Sequence, residues 1–219
     1  MSKIIRNFNN LSVNLNKSQR IQAELITSAE KESLLKRGFY NGSLTGCVDY
    51  KIQNRSLILE CVACNFFELI LDKFIEKDIP KILNANAIIE VGDSIILIKR
   101  GEDVYSYNGY WDFPAGLVQT QESPLNRLKK RIPMEIGINP KYLSFSDFPA
   151  FVEILDRYFS LYYIVKTSLS KEEVISRIKQ NSEGNKSLLL SKYKIVHFLN
   201  RNKKVFPRSP LIKYSAIKT

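Results

Sequence analysis

The spacing of apolar residues changes along the chain, and each change marks an element. In the first twenty residues Ile4, Phe8, Leu11 and Leu15 recur at helical spacing. Thr27-Ser-Ala-Glu30 then has the form of a capping box, in which the threonine hydroxyl and the glutamate three residues later satisfy each other's backbone N–H groups. It predicts a helix that ends near Gly38. Apolar and polar residues alternate over 45–53 and 56–63, which predicts two strands joined as a hairpin at Gln53-Asn54-Arg55. Asn65 is placed to cap a following helix, whose Phe66, Phe67, Leu69, Ile70, Phe74 and Ile75 form an apolar stripe. Pro80 stops that helix, and the stripe reads as core rather than as a ligand platform.

From Asn84 onward the pattern is different. Residues 87–91 and 94–100 are apolar strands on either side of Gly92-Asp93, a tight-turn pair. Residues 105–112 read as a turn-rich aromatic loop, and 123–136 as a helix closed by Gly137. Strands are expected over 143–155 and 157–167, a helix capped by Ser170 over 170–180, another over 191–201, and a short one over 207–218. The chain therefore divides into a small α+β module or lead-in, 1–82, and a domain, 83–219.

Charge adds a possible class of partner. The net charge is +11, and it is unevenly placed. Residues 170–219 carry twelve Lys and Arg against Glu172, Glu173 and Glu183, while residues 1–23 carry Lys3, Arg6, Lys17 and Arg20 with no acid. A basic rim on a near-neutral middle suits nucleotides, RNA or an acidic protein, and equally a plain solvated face. The acid-free start is compatible with an organellar presequence, but with Met1 present an arm packed on the body is the expectation. No apolar run approaches the roughly 20 residues that span a bilayer, which excludes a membrane helix. Cys47, Cys61 and Cys64 form no disulfide framework, and Cys61-x-x-Cys64 lacks the second pair a zinc site needs. Reduced thiols and no membrane segment lead to a cytoplasmic expectation.

The densest chemistry lies in 116–138. Gly116 is followed after five residues by Glu122, then after seven by Lys130-Arg131-Ile132-Pro133-Met134-Glu135-Ile136-Gly137-Ile138. With the strand end Leu97-Ile98-Lys99-Arg100 and the lead-in Trp111-Asp112-Phe113-Pro114-Ala115-Gly116, residues 84–219 resemble a Nudix domain. That resemblance implies an α+β, Nudix-like α/β/α sandwich with a mixed sheet. It also implies a diphosphate hydrolase that uses divalent cations to neutralise the bridge and activate water. The family's three metal-binding glutamates share one helix face, and here those positions are Arg131, Met134 and Glu135. Only Glu135 suits a hard cation, because arginine brings a fixed positive charge and methionine a soft thioether. No metal is expected, or Glu135 alone as a ligand. The family's loop-to-helix ion pair falls on Glu122 and Lys130. Pro133 predicts a kink or a late helix start, at a cost on the order of 3 kcal/mol.

Two roles are open for Arg131: pairing with Glu135 one turn on, or contacting a ligand phosphate together with Arg100. Arg100 could equally be a strand-end charge. The candidate catalytic residues are Glu135 and Glu122; the candidate ligand-binding residues are Arg100, Gly116, Arg131 and Glu153. Glu153 and Asp156 are placed at a turn from which they could reach a pocket mouth. Glu172 and Glu173 suit a helix N-terminus, and His197 reads as structural.

Three functions follow. The first is binding of a nucleotide or diphosphate-linked ligand with weak or no hydrolysis and no cofactor, as a sensor, regulator or accessory subunit. The second is a divergent hydrolase of a nucleoside-diphosphate-linked substrate, using Mg or Mn with Glu135, Glu122 and Glu153 or Asp156. The third is a structural or RNA-associated scaffold working through 170–219. The resemblance also implies a homodimer, with the aromatic lead-in as a candidate interface.

Overall fold

The computed structural model of the chain describes residues 3–20, 23–73, 79–101, 108–180 and 187–205. In chain order the elements are β1 (Lys3–Ile5), β2 (Asn10–Arg20), α1 (Ser28–Lys36), β3 (Ser43–Gln53), β4 (Ser56–Asn65), α2 (Phe66–Leu71) and β5 (Lys81–Val91). Then come β6 (Ser94–Lys99), β7 (Trp111–Asp112), β8 (Ala115–Leu117), α3 (Pro124–Ile136), β9 (Leu143–Phe145) and β10 (Phe151–Ile154). The remainder are β11 (Tyr158–Thr167), α4 (Lys171–Gln180), β12 (Ser187–Ser191) and α5 (Ile195–Arg201). Parallel and antiparallel ladders are both present, so the protein is α+β with mixed pairing. Among the described residues no helix is long and apolar enough to cross a membrane.

Contacts group the chain into two compact units. The first comprises 1–85, 117–127 and 147–162; the second comprises 86–116, 128–146 and 163–219. In the first unit β1 pairs antiparallel with β10, and β10 with β11. β4 pairs parallel with β2 and antiparallel with β3, and β3 pairs with the start of β5. Residues 3–20 thus pack on the body as expected, with Lys3–Ile5 and Asn10–Arg20 as strands rather than a helix. Leu11, Val13 and Leu15 also alternate, and pairing with Leu57, Leu59 and Cys61 selects that period.

Local signals explain the rest of this unit. Thr27 Oγ1 accepts the Glu30 N–H at 3.3 Å while Glu30 Oε2 accepts the Thr27 N–H at 2.8 Å, completing the capping box of α1. The β3–β4 turn places Asn54 and Arg55 at φ of 49° and 60°, the double positive φ that suits strand twist. Helix α2 is shorter than its apolar stripe predicts: Asp72 adopts a left-handed φ of 55° and ends it, and Phe74 and Ile75 lie outside the described residues. Leu44, Cys64, Leu69 and Ile82 form a buried cluster, and Phe151 stacks on Tyr162 at 4.7 Å.

Gly46 is confined by this packing. A Cβ there would lie 2.7 Å from Pro80 Cβ and 3.3 Å from Cys64 Sγ. Gly46→Ala is expected to cost about 1–3 kcal/mol as overpacking, read as a melting temperature lowered by several degrees. An unchanged melting temperature would show that β3 can move off Pro80 freely.

In the second unit β5 and β6 form the expected hairpin around Gly92, whose φ is +59°. β6 also pairs with β12 and with β7. β12 has no counterpart in the sequence reading, because Ser-Leu-Leu-Leu-Ser has no alternation to announce a strand. Residues 191–201 open with a 3-10 turn, Lys192–Lys194, before α5. Of the predicted aromatic loop, 102–107 lie outside the described residues and Trp111-Asp112 form β7; the predicted last helix, 207–218, lies outside them too. Helix α4 is capped as predicted, with Ser170 Oγ accepting the Glu173 N–H and Glu173 Oε2 accepting the Ser170 N–H.

Helix α3 runs without interruption from Pro124 through Pro133, so the proline does not delay its start. Pro124 sits in the first turn, where its missing N–H is not needed. Leu128, Ile132 and Ile136, four residues apart, are buried. Gly137, at φ +71°, donates its N–H to the Pro133 carbonyl and closes the helix.

Candidate functional site

In the second unit four charged side chains form two linked pairs. Register places Asp112 of β7 opposite Ile98 of β6, and the Arg100 N–H donates to the Tyr110 carbonyl at 2.8 Å. Arg100 Nη1 then reaches Asp112 Oδ2 at 3.1 Å, and Asp112 Oδ1 accepts the Phe113 N–H at 2.8 Å. On α3, Arg131 Nη2 donates to Glu135 Oε1 at 2.8 Å across one turn. The other oxygen, Glu135 Oε2, accepts the Ala115 N–H of β8 at 2.9 Å.

Both carboxylates are buried, whereas both guanidinium side chains are 27% exposed. Burial pushes the Asp112 carboxyl up to about 6, against the pull of Arg100 and the Phe113 N–H. Burial raises Glu135 as well, opposed by Arg131, the Ala115 N–H and Arg100. Glu135 disfavours the Asp112 charge and Arg100 favours that of Glu135, so the two pairs act as one near-neutral cluster.

This donor set does not fit a magnesium ion. Mg²⁺ needs near-octahedral oxygen ligands. Glu135 is the one carboxylate at the three family positions, and its oxygens hold a guanidinium and a backbone amide. Met134 is half-exposed, and its sulfur accepts from Arg131 Nη1 at 3.9 Å. Among the described residues no group of three or more His, Cys, Asp or Glu could hold a metal. The cluster can instead present two arginine forks to an anion.

The remaining candidates are placed as follows. Gly116 lies in β8, beside Ala115. Glu122 lies in the first unit, where its Oε1 accepts the Gln119 N–H at 3.3 Å and stands 3.4 Å from Arg127 Nη1. Arg127 is a partner that the family spacing, which points to Lys130, does not single out. Glu153 is 1% exposed inside β10, opposite Ile4 and Ser160, and accepts from Tyr162 Oη at 3.4 Å. It is therefore a ladder residue and not one at a pocket mouth. Asp156 is exposed and lines a cavity of about 340 Å³ in the first unit with Lys81, Arg157, Tyr50 and Phe159. His197 is exposed on α5. Asp112 is a site residue that the sequence alone does not single out; its one signal is an acid set between Trp111 and Phe113.

No family model and no curated protein matches the sequence. Among solved structures, the chain is similar to the MutT protein from Methanosarcina mazei Go1, at 17% identity over 66% of this chain and 99% of that one, with a TM-score of 0.49. A hydrolase of the Nudix family from Clostridium perfringens is 13% identical over 62% of this chain and 95% of its own, with a TM-score of 0.45. The Nudix domain of Shewanella oneidensis NrtR complexed with ADP ribose is 13% identical over 63% and 87%, with a TM-score of 0.42. These are Nudix structures, and the likeness is one of fold alone.

Proposed function

We propose that the protein is a Nudix-fold binding protein for a nucleotide or diphosphate-linked small molecule, which it hydrolyses weakly or not at all, in a sensing, regulatory or accessory role. The observation behind this reading is the Arg131–Glu135 pair, which sets a fixed guanidinium beside the one remaining family carboxylate. Charge that metal ions would supply to a diphosphate is supplied here by Arg131 and Arg100, each partly exposed and each able to make bidentate hydrogen bonds to phosphate. Arginine binds and orients the diphosphate but does not lower the pKa of a water as a metal does. Binding without turnover follows.

Titration calorimetry against a panel of nucleoside di- and triphosphates and ADP ribose tests this reading. Binding on the order of micromolar, unchanged by EDTA, is expected. Failure to bind any member sinks the proposal. Mg²⁺- or Mn²⁺-dependent hydrolysis that is lost in Glu135→Gln would establish the divergent hydrolase in its place.

A further inference from the structure

Residues 184–205 contain no acid. Within them α5 is docked by one side only. Ile195 and Leu199 are buried, and the Phe198 ring meets Trp111 edge-on at 6.0 Å. The backbone beyond is held too, with the Trp111 N–H donating to the Lys204 carbonyl at 2.9 Å and Val205 bridging to Trp111. On this anchored segment Lys194, His197, Asn200, Arg201, Lys203 and Lys204 are exposed. Lys194, His197 and Arg201, spaced by three and four, share a helix face. Tyr193 is 89% exposed beside them.

Neighbouring Lys192 shows what a spent cation looks like here: it lies 3.6 Å from Glu90 Oε1 and donates to the Gly92 carbonyl. Lys194, Arg201, Lys203 and Lys204 have no acidic partner among the described residues. Cations without an acidic partner among the described residues, on a fixed backbone beside an exposed aromatic ring, supply the two components by which proteins hold unpaired nucleotides, phosphate attraction and base stacking. At seven residues, α5 is too short to read a duplex groove over any length. Among the described residues of this segment Tyr193 and Val196 are the only large exposed apolar side chains, too few to anchor the face in lipid.

We infer that this face binds single-stranded nucleic acid, with phosphates on Lys194, Arg201, Lys203 and Lys204 and a base stacked on Tyr193. It shares no residue with the Arg131–Glu135 cluster, so either reading can fail without the other.

Fluorescence anisotropy of the full chain with labelled oligo-U and oligo-dT of about 12 nucleotides tests the inference. Binding of either single strand, with a log–log salt slope of about −3 for four phosphate contacts, supports it. The charge reversal Lys194→Glu with Arg201→Glu should weaken binding by about tenfold or more and flatten the slope. Tyr193→Ala should weaken it by about tenfold with the slope unchanged. All three positions are exposed, and thermal melting checks that the variants fold. Absence of binding, equal affinity for a duplex of the same length, binding unchanged in both variants, or binding to anionic vesicles but to neither oligonucleotide would each overturn it.

Discussion

Arg131→Ala is expected to lower the unfolding free energy by about 3 kcal/mol at neutral pH. Removing one partner of a buried ion pair costs about 3–5 kcal/mol because the other charge stays behind in a medium that solvates it poorly. Glu135 is that charge, 8% exposed and held at Oε1 by Arg131. The Ala115 N–H and the nearby Arg100 remain, and Arg131 is itself partly exposed, so the loss belongs at the low end. Burial already raises Glu135, and loss of its cation raises it further, so the folded variant binds a proton more readily than the unfolded chain does. Its deficit should therefore shrink on acidification and be largest above that raised pKa. Adding Glu135→Gln should recover much of the loss, since a neutral amide still accepts the Ala115 N–H. Urea unfolding of the variants at neutral and acidic pH measures both effects, and a single variant as stable as the parent at neutral pH would show that Glu135 needs no cation.

Asp112 should make the protein respond to acid in an unusual sense. Its folded pKa of about 6 lies above its ordinary 3.8, so between those values the folded state holds more protons than the unfolded state. Stability from this group is therefore present at low pH and is lost as pH rises toward 6, an effect of about 3 kcal/mol for a fully buried carboxyl. Glu30 acts in the opposite direction: the Thr27 N–H and Lys73 hold it down to about 2, so its contribution is present above its ordinary 4.5 and is lost as pH falls from there through about 2. Asp112→Asn keeps the acceptor for the Phe113 N–H and removes the titration. The difference in unfolding free energy between parent and variant should shift by about 2–3 kcal/mol from pH 4 to pH 7. A difference that stays constant across that range would mean that Asp112 titrates as an exposed carboxyl.

What could be read from the sequence was what short range decides. The Thr27–Glu30 and Ser170–Glu173 caps, the 54–55 and 92–93 turns and helix α3 with Gly137 each depend on residues within a few positions of one another. The Arg131–Glu135 pair belongs with them, being one turn of helix. What stayed hidden was set by partners distant in sequence. Leu11 and Leu15 fit either period, and the choice lay with Leu57, Leu59 and Cys61 on β4. Glu153 looked like a turn acid until β1 and β11 enclosed it. Asp112 became a titrating group only through its burial, which its immediate neighbours hint at but do not settle.

The pairing of β1 with β10 bears on how the chain is made. Lys3 lies opposite Ile154, so β1 meets its strand partner only after about 150 further residues have been synthesised. Until then Ile4 and Ile5 have no place in a sheet, and closing so long a loop is slow. β1 thus waits for a partner made much later, and during that interval its apolar strand edge is open to other chains.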